Sequence, residues 1–201
     1  MLTLRRTLVL GLALGLLGCE SNSDSPVGDD LLTNPQLGIN GAPRPFIVDL
    51  QPLNGSGVSG TAHLLLDGGT LTVTIDATGL EADRTHAQHI HGNPPARGVP
   101  SNSTCPPPSA DTDGDGLVSV GEGFPYYGPV LRGLTPFTTA PGGVIDFEAT
   151  YTGAELDNLD PADALQNRTI VLHGKTVDGN YIGSLPVACG QIRPEPRGPS
   201  S

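Results

Sequence analysis

Three histidines carry the first chemical signal in this chain. His89 and His91 stand one residue apart in His89-Ile90-His91, and His173 closes the run Thr169-Ile170-Val171-Leu172-His173. On a strand, side chains alternate between faces, so His89 and His91 share one face about 7 Å apart. Neutral imidazole is the commonest protein ligand for copper and zinc. A third imidazole from a neighbouring strand would complete a three-nitrogen site. Spacing alone fixes only His89 beside His91. Two cysteines flank the same segments, Cys105 after the pair and Cys189 after the single histidine.

A second constellation is acidic. Asp111-Thr112-Asp113-Gly114-Asp115-Gly116-Leu117-Val118-Ser119-Val120-Gly121-Glu122 fits the twelve-residue EF-hand calcium loop, with Asp at positions 1, 3 and 5, Gly at 6, an aliphatic residue at 8 and Glu at 12. A hard cation takes six to eight oxygens, and a tight turn at Gly116 lets alternate side chains converge on it. The Leu117 carbonyl and a water held by Ser119 would add two more ligands. Pro106-Pro107-Pro108 precedes and Gly123-Phe124-Pro125 follows, so no flanking helices are expected. The motif reads as a calcium loop without an EF-hand domain, against the plainer alternative of an acidic, solvated turn.

The rest of the chain must position these groups and place them in a compartment. Arg5 and Arg6 precede an apolar run over 7–17, too short to span a bilayer and suited to a signal segment. Leu16-Leu17-Gly18-Cys19 resembles the bacterial lipobox, which implies that 1–18 is removed and that Cys19 is lipidated. The alternative is an ordinary secretory signal with an incidental cysteine. Several acyl chains at ~0.8 kcal/mol per buried CH₂ would anchor the chain stably. The expected location is extracytoplasmic, at a bacterial outer membrane, periplasm or cell surface. Residues 19–43 are a polar tether, 44–193 the folded domain and 194–201 a Pro-rich tail.

The net charge is −11 and Lys175 is the sole lysine, which argues against nucleic acid or anionic lipid as partner. With 28 Gly, 20 Pro and no Trp, the composition favours short strands and turns over helices. Cys19 apart, Cys105 and Cys189 form an even pair, expected to be oxidised outside the cytoplasm, with two free thiols as the alternative. Strands are expected at 46–53, 58–66, 87–91, 144–151, 168–173 and 185–192. Leu71, Val73 and Ile75 alternate with Thr72, Thr74 and Asp76 in a further strand, joined to its predecessor by the turn Asp67-Gly68-Gly69. Residues 93–128 form a long Pro/Gly-rich excursion of the kind that is usually functional. Residues 156–165 read as a polar loop with one helical turn after Asp160-Pro161. This pattern indicates a β-sandwich or Greek-key barrel.

These segments carry a family resemblance. His86-Ala87-Gln88-His89-Ile90-His91-Gly92 resembles the His-x-x-His-x-His segment of copper/zinc superoxide dismutases. Gly60-Thr61-Ala62-His63 through Thr78-Gly79-Leu80 resembles the hairpin before it. Asn167-Arg168-Thr169-Ile170-Val171-Leu172-His173 resembles the strand bearing that family's last copper ligand, and Ala188-Cys189-Gly190-Gln191-Ile192 its final cysteine segment. The likeness spans roughly 46–192. The His89 segment and its lead-in are also similar to the CHRD domain, related in fold.

The resemblance implies an all-β, Greek-key sandwich or barrel of the copper/zinc superoxide dismutase-like type, here with a long calcium-binding loop. It implies copper at His89, His91 and His173 and a Cys105–Cys189 disulfide. His86 matches a structural histidine that bonds backbone, with copper coordination as the alternative, and His63 reads as a surface residue. The departures are as informative. No histidine lies between His91 and His173, so the bridging histidine and the remaining zinc ligands are missing, and zinc is not expected. Tyr127 sits near where one zinc ligand would be. Pro186 stands where the family has the arginine that attracts and orients superoxide.

Three readings follow. The first is a membrane-anchored copper- and calcium-binding lipoprotein with doubtful dismutase activity. The second is an active copper-only superoxide dismutase, converting superoxide to oxygen and hydrogen peroxide. The third is a non-enzymatic, CHRD-like structural or binding module whose metal is calcium alone. Beyond the membrane, the expected ligands are copper and superoxide. The acidic loop lies where the zinc ligands are missing, so calcium is expected to order the wall of the copper site.

Overall fold

The computed structural model describes residues 42–93, 101–159 and 165–196. The signal segment, Cys19, the tether to residue 41 and the helical turn expected after Asp160-Pro161 lie outside them. Alternating apolar residues build the frame. Phe46, Val48 and Leu50 on β1 (Arg44–Pro52), Ala62 and Leu64 on β2 (Ser59–Asp67) and Leu71, Val73 and Ile75 on β3 (Thr70–Thr78) are all buried, while their neighbours face outward. Full burial of each Val, Leu, Ile or Phe among these is worth about 1.5–3 kcal/mol.

The remaining strands are β4 (Thr85–His86), β5 (Gln88–His91), β6 (Val130–Gly133), β7 (Thr138–Thr139), β8 (Ile145–Thr152), β9 (Thr169–Val177), β10 (Asn180–Gln191) and β11 (Arg193–Pro194). They form one antiparallel sheet in the order β6-β5-β9-β10-β1-β2-β3-β8, with β11 on β1 and β4 paired separately with β7. The sheet curls because β1 belongs to both halves. Its start pairs with β2 and β11, and its end, Gln51 and Pro52, with β10. The chain crosses from β3 to β5, returns to lay β8 beside β3, then crosses again to β9. Ile90, Ile170, Leu172 and Val187 from one half meet Val48, Val73, Ile75 and Phe147 from the other in one core. The all-β class read from the sequence stands.

Some expectations need correction. The strand expected at 87–91 begins at Gln88, and Ala87 separates it from His86, which belongs to the β4–β7 ribbon while His89 and His91 belong to the main sheet. The last long strand begins at Asn180 rather than 185, after a tight turn with Asp178 and Gly179 at φ 49° and 81°. The expected tail starts late: Pro194 pairs with Phe46, and the Glu195 amide donates to the Pro45 carbonyl at 3.0 Å. The excursion at 93–128 contains a helix, α1 (Val120–Tyr127), where none was expected. Its cause is a capping box: Ser119 Oγ accepts from the Glu122 amide while the Glu122 carboxylate accepts from the Ser119 amide. Gly123 permits it, because a Cβ there would lie 2.4 Å from the Tyr127 ring. The polar loop expected at 156–165 begins as a 3-10 turn, Gly153–Leu159.

Candidate metal centre

Strand alternation and register assemble the site. Ile90 points into the core, so His89 and His91 project from the opposite face of β5. On β9, Ile170 and Leu172 fill the core and leave Val171 and His173 on that same outer face. Val171 pairs with His89, which sets His173 diagonally beside it, and the His173 amide donates to the Ala87 carbonyl at 2.9 Å. The ring centroids of His89 lie 5.5 Å from His91 and 5.1 Å from His173, and those of His91 and His173 are 5.7 Å apart. One nitrogen from each residue comes within 4.8 Å of the others.

Backbone carbonyls fix which nitrogen each ring presents. His91 Nδ1 lies 3.0 Å from the Gly128 carbonyl and His173 Nδ1 lies 2.7 Å from that of Ser184. A carbonyl can only accept, so each Nδ1 carries the proton and the lone pair falls on Nε2. Those two Nε2 atoms, with His89 Nδ1, are buried and have no hydrogen-bond partner among the described residues. Buried polar atoms are almost always paired. Three that are not, on residues that each bring a nitrogen within 4.8 Å of the others, suit a cation that prefers nitrogen donors. Burial holds the rings neutral, as metal ligation requires. It pushes His173 down to about 3 and His89 down to about 4, with the neighbouring imidazoles pushing the same way, and it lowers His91 against a smaller opposite pull from the Gly128 carbonyl.

Aromatic edges wall the trio. Phe137 meets His89 at 5.3 Å between centroids and Tyr127 meets His91 at 4.8 Å. Tyr127 also packs with Val171, Cys189 and Cys105 in a small second cluster. The Cys105–Cys189 disulfide, Cα atoms 5.7 Å apart, ties the long excursion to the sheet beside the site. His86 stands apart. Its Nδ1 faces the His173 carbonyl at 2.9 Å and its Nε2 the Glu81 carbonyl at 3.0 Å, so both ring nitrogens are directed at backbone and away from a metal. The Tyr127 hydroxyl donates to the Val120 carbonyl at 3.0 Å. Pro186 pairs with His173 across β9 and β10, so no cationic side chain stands at that position. His63 is exposed on β2. Sequence reasoning missed the Gly128 and Ser184 carbonyls, since a backbone acceptor leaves no trace in residue type.

The acidic loop forms a second cluster. Asp111, Asp113 and Asp115 bring one carboxylate oxygen each within 4.8 Å of the others. The turn is held by amides: Gly114 and Gly116 donate to Asp111 at 2.8 and 2.9 Å, Asp115 to Asp113 at 3.1 Å and Leu117 to Asp115 at 2.8 Å. Gly116 sits at φ 86°, where L side chains are strained. Glu122 does not join the three aspartates. Its Oε1 accepts from the Thr112 amide and hydroxyl at 2.7 and 2.9 Å, and its Oε2 from the Ser119 amide and hydroxyl, both at 2.9 Å. The Ser119 amide first, then the Thr112 amide, hold this carboxyl down at about 2. Ser119 itself is the N-cap of α1. Beyond the loop, Asn54 clamps Val118 from both sides, accepting from its amide at 2.7 Å and donating to its carbonyl at 3.0 Å.

No protein-family model matches the chain. No curated protein sequence matches it either. Among solved structures it is similar to one titled "Candida albicans Superoxide Dismutase 5 (SOD5), Cu(II)", with 18% identity, covering 78% of this chain and 95% of that one at a TM-score of 0.41.

Proposed function

We propose that this chain is an extracytoplasmic copper-binding protein on a copper/zinc superoxide dismutase-like scaffold, tethered to a membrane through lipid on Cys19. One observation carries the metal reading. His89 Nδ1, His91 Nε2 and His173 Nε2 are buried without partners among the described residues, while the second nitrogens of His91 and His173 are fixed by carbonyls. Such a donor set suits copper, which when bound would supply one-electron redox chemistry.

The surrounding residues define what the site does with a small ligand. His89 is the least buried member of the trio, so a small ligand would approach from its side, beside Phe137. Pro186 offers no charge to draw in or orient an anion, and the chain's net charge of −11 repels one. Dismutase turnover is therefore expected to be slow, and holding copper to be the main role. The open side at His89 favours, as a second reading, a copper-only dismutase. Zinc is not expected at a second site, since no histidine lies between His91 and His173.

Calcium at Asp111, Asp113 and Asp115, with the Leu117 carbonyl, a Ser119-held water and Glu122, is the second part of the proposal. The turn and its spacing support it. Glu122 would have to exchange amide partners for the ion.

The test is metal content of the mature chain, residues 20–201, after exposure to equimolar copper, zinc and calcium and then desalting. One copper and one calcium per chain are expected, with the copper lost in His173→Gln. Superoxide turnover of the copper-loaded protein then separates a holding role from catalysis. Calcium without copper would remove both copper readings and leave a calcium-stabilised binding module.

A further inference from the structure

Helix α1 is short and poorly suited to stand alone. It has eight residues, Gly121 and Gly123 inside it, and Pro125, which cannot donate a helical hydrogen bond. Yet its last turn supplies two of the groups that hold His91. The Tyr127 ring lies edge-on to the imidazole with centroids 4.8 Å apart, and the C-cap residue Gly128 offers the carbonyl that fixes Nδ1 at 3.0 Å. Gly128 is itself placed by its amide bond to the Phe124 carbonyl at 2.9 Å, the closing bond of the helix. Tyr127 is placed by its hydroxyl on the Val120 carbonyl and by the pocket that Gly123 leaves for its ring. Both supports therefore depend on the helix being wound.

What winds it lies about 12 Å away at the other end. Ser119 and Glu122 form the capping box, and Glu122 also ties the helix start to Thr112 and Asp113. His173 has no such dependence, because its Nδ1 rests on Ser184 of β10. We infer that α1 is the positioning element of His91, with Ser119 and Glu122 acting on that ligand through Tyr127 and Gly128. This rests on the reading of the trio as a metal site and adds distant positioning residues to it.

The experiment uses the full mature chain, metal-free, in calcium-free buffer. Heteronuclear NMR follows the Nδ1 protons of His91 and His173, comparing wild type with Ser119→Ala, Ser119→Thr and Glu122→Gln. Loss of an N-cap frays the first turn, so Ser119→Ala is expected to speed exchange of the His91 proton about tenfold and leave that of His173 unchanged. Ser119→Thr restores it because Thr also caps, and Glu122→Gln retains most of it because Gln closes the same box. With copper(II) added, electron paramagnetic resonance is expected to show three coupled nitrogens in wild type and Ser119→Thr but a two-nitrogen population in Ser119→Ala.

Unchanged His91 exchange in a Ser119→Ala protein whose Tyr126 and Tyr127 amides have lost protection overturns the inference. So does equal acceleration of both histidines, which is general loosening. If Ser119→Ala does not fold, Tyr127→Phe keeps the ring, loses only the bond to Val120, and must show the same selective acceleration. Selective acceleration in Ser119→Ala together with a wild type that binds no copper sinks the copper reading and leaves the positioning role standing.

Discussion

Acidifying the metal-free protein should strip it of a large part of its stability before its carboxylates are neutralised. The cause is the buried trio. In the unfolded chain each imidazole takes up a proton near 6.5, whereas in the fold His173 stays neutral down to about 3 and His89 down to about 4. A histidine whose folded value is depressed contributes nothing above 6.5 and destabilises the fold progressively as pH falls below it, because only the unfolded state binds the proton. Each pH unit of that mismatch costs about 1.4 kcal/mol per group. From pH 6.5 to 4.5, His173 alone accounts for about 2.8 kcal/mol, and His89, discounted by half for its exposure, for about 1.4 kcal/mol. His91 adds to both. The sum, about 4 kcal/mol or more, is a large part of the 5–15 kcal/mol that holds a typical domain. Glu122 and Glu81 also lose stabilising interactions on protonation, but only below about 4.5, so the window isolates the histidines. Urea unfolding followed by circular dichroism at half-unit steps between pH 7 and 4.5 would measure the slope. His173→Leu, which cannot protonate, should flatten it by about 1.4 kcal/mol per pH unit. A stability independent of pH across that window, or a His173→Leu slope equal to wild type, would show that the trio is not held neutral by burial.

Other substitutions test separate parts of the frame. Cys105→Ser with Cys189→Ser opens a bridge between residues 84 apart and should cost about 4–5 kcal/mol in urea unfolding, with copper affinity falling alongside. Gly123→Ala drives a Cβ to within 2.4 Å of the Tyr127 ring and should cost about 1–3 kcal/mol while shifting the His91 ring resonances. Asp113→Asn with Asp115→Asn should abolish any calcium-induced rise in melting temperature yet leave the calcium-free melting temperature within a few degrees, since these side chains are exposed. Ile75→Ala in the shared core should cost about 2–5 kcal/mol without changing copper stoichiometry in the fraction that stays folded.

Much of the frame was legible because it follows the strand period. Leu71, Val73 and Ile75 announce one buried face, and the same rule puts His89 and His91 together on the other side of Ile90. Bringing His173 to them is a matter of pairing order, which no local pattern contains. It was reached only through the family resemblance. The hairpin into β10 is signalled by Asp178-Gly179, but the start of the strand is hidden, because Asn180 to Ser184 are polar or solvent-facing and carry no apolar alternation. Helix α1 was missed for a different reason. Gly121, Gly123 and Pro125 lower local helix propensity, whereas the Ser119-x-x-Glu122 box that starts the helix lay inside a motif already read as calcium ligands. One side chain serving two patterns hides the second.

The pairing order also dictates when the centre can exist. Synthesis delivers His89 and His91 early, yet the strand that carries His173, and β10 with Cys189 beyond it, come close to the end of the chain. Until β9 is laid against β5, the pair has no third imidazole, and until β10 follows, Ser184 cannot fix the tautomer of His173. A chain that has not yet laid down these two strands holds two of the three imidazoles and lacks the carbonyl that orients the third.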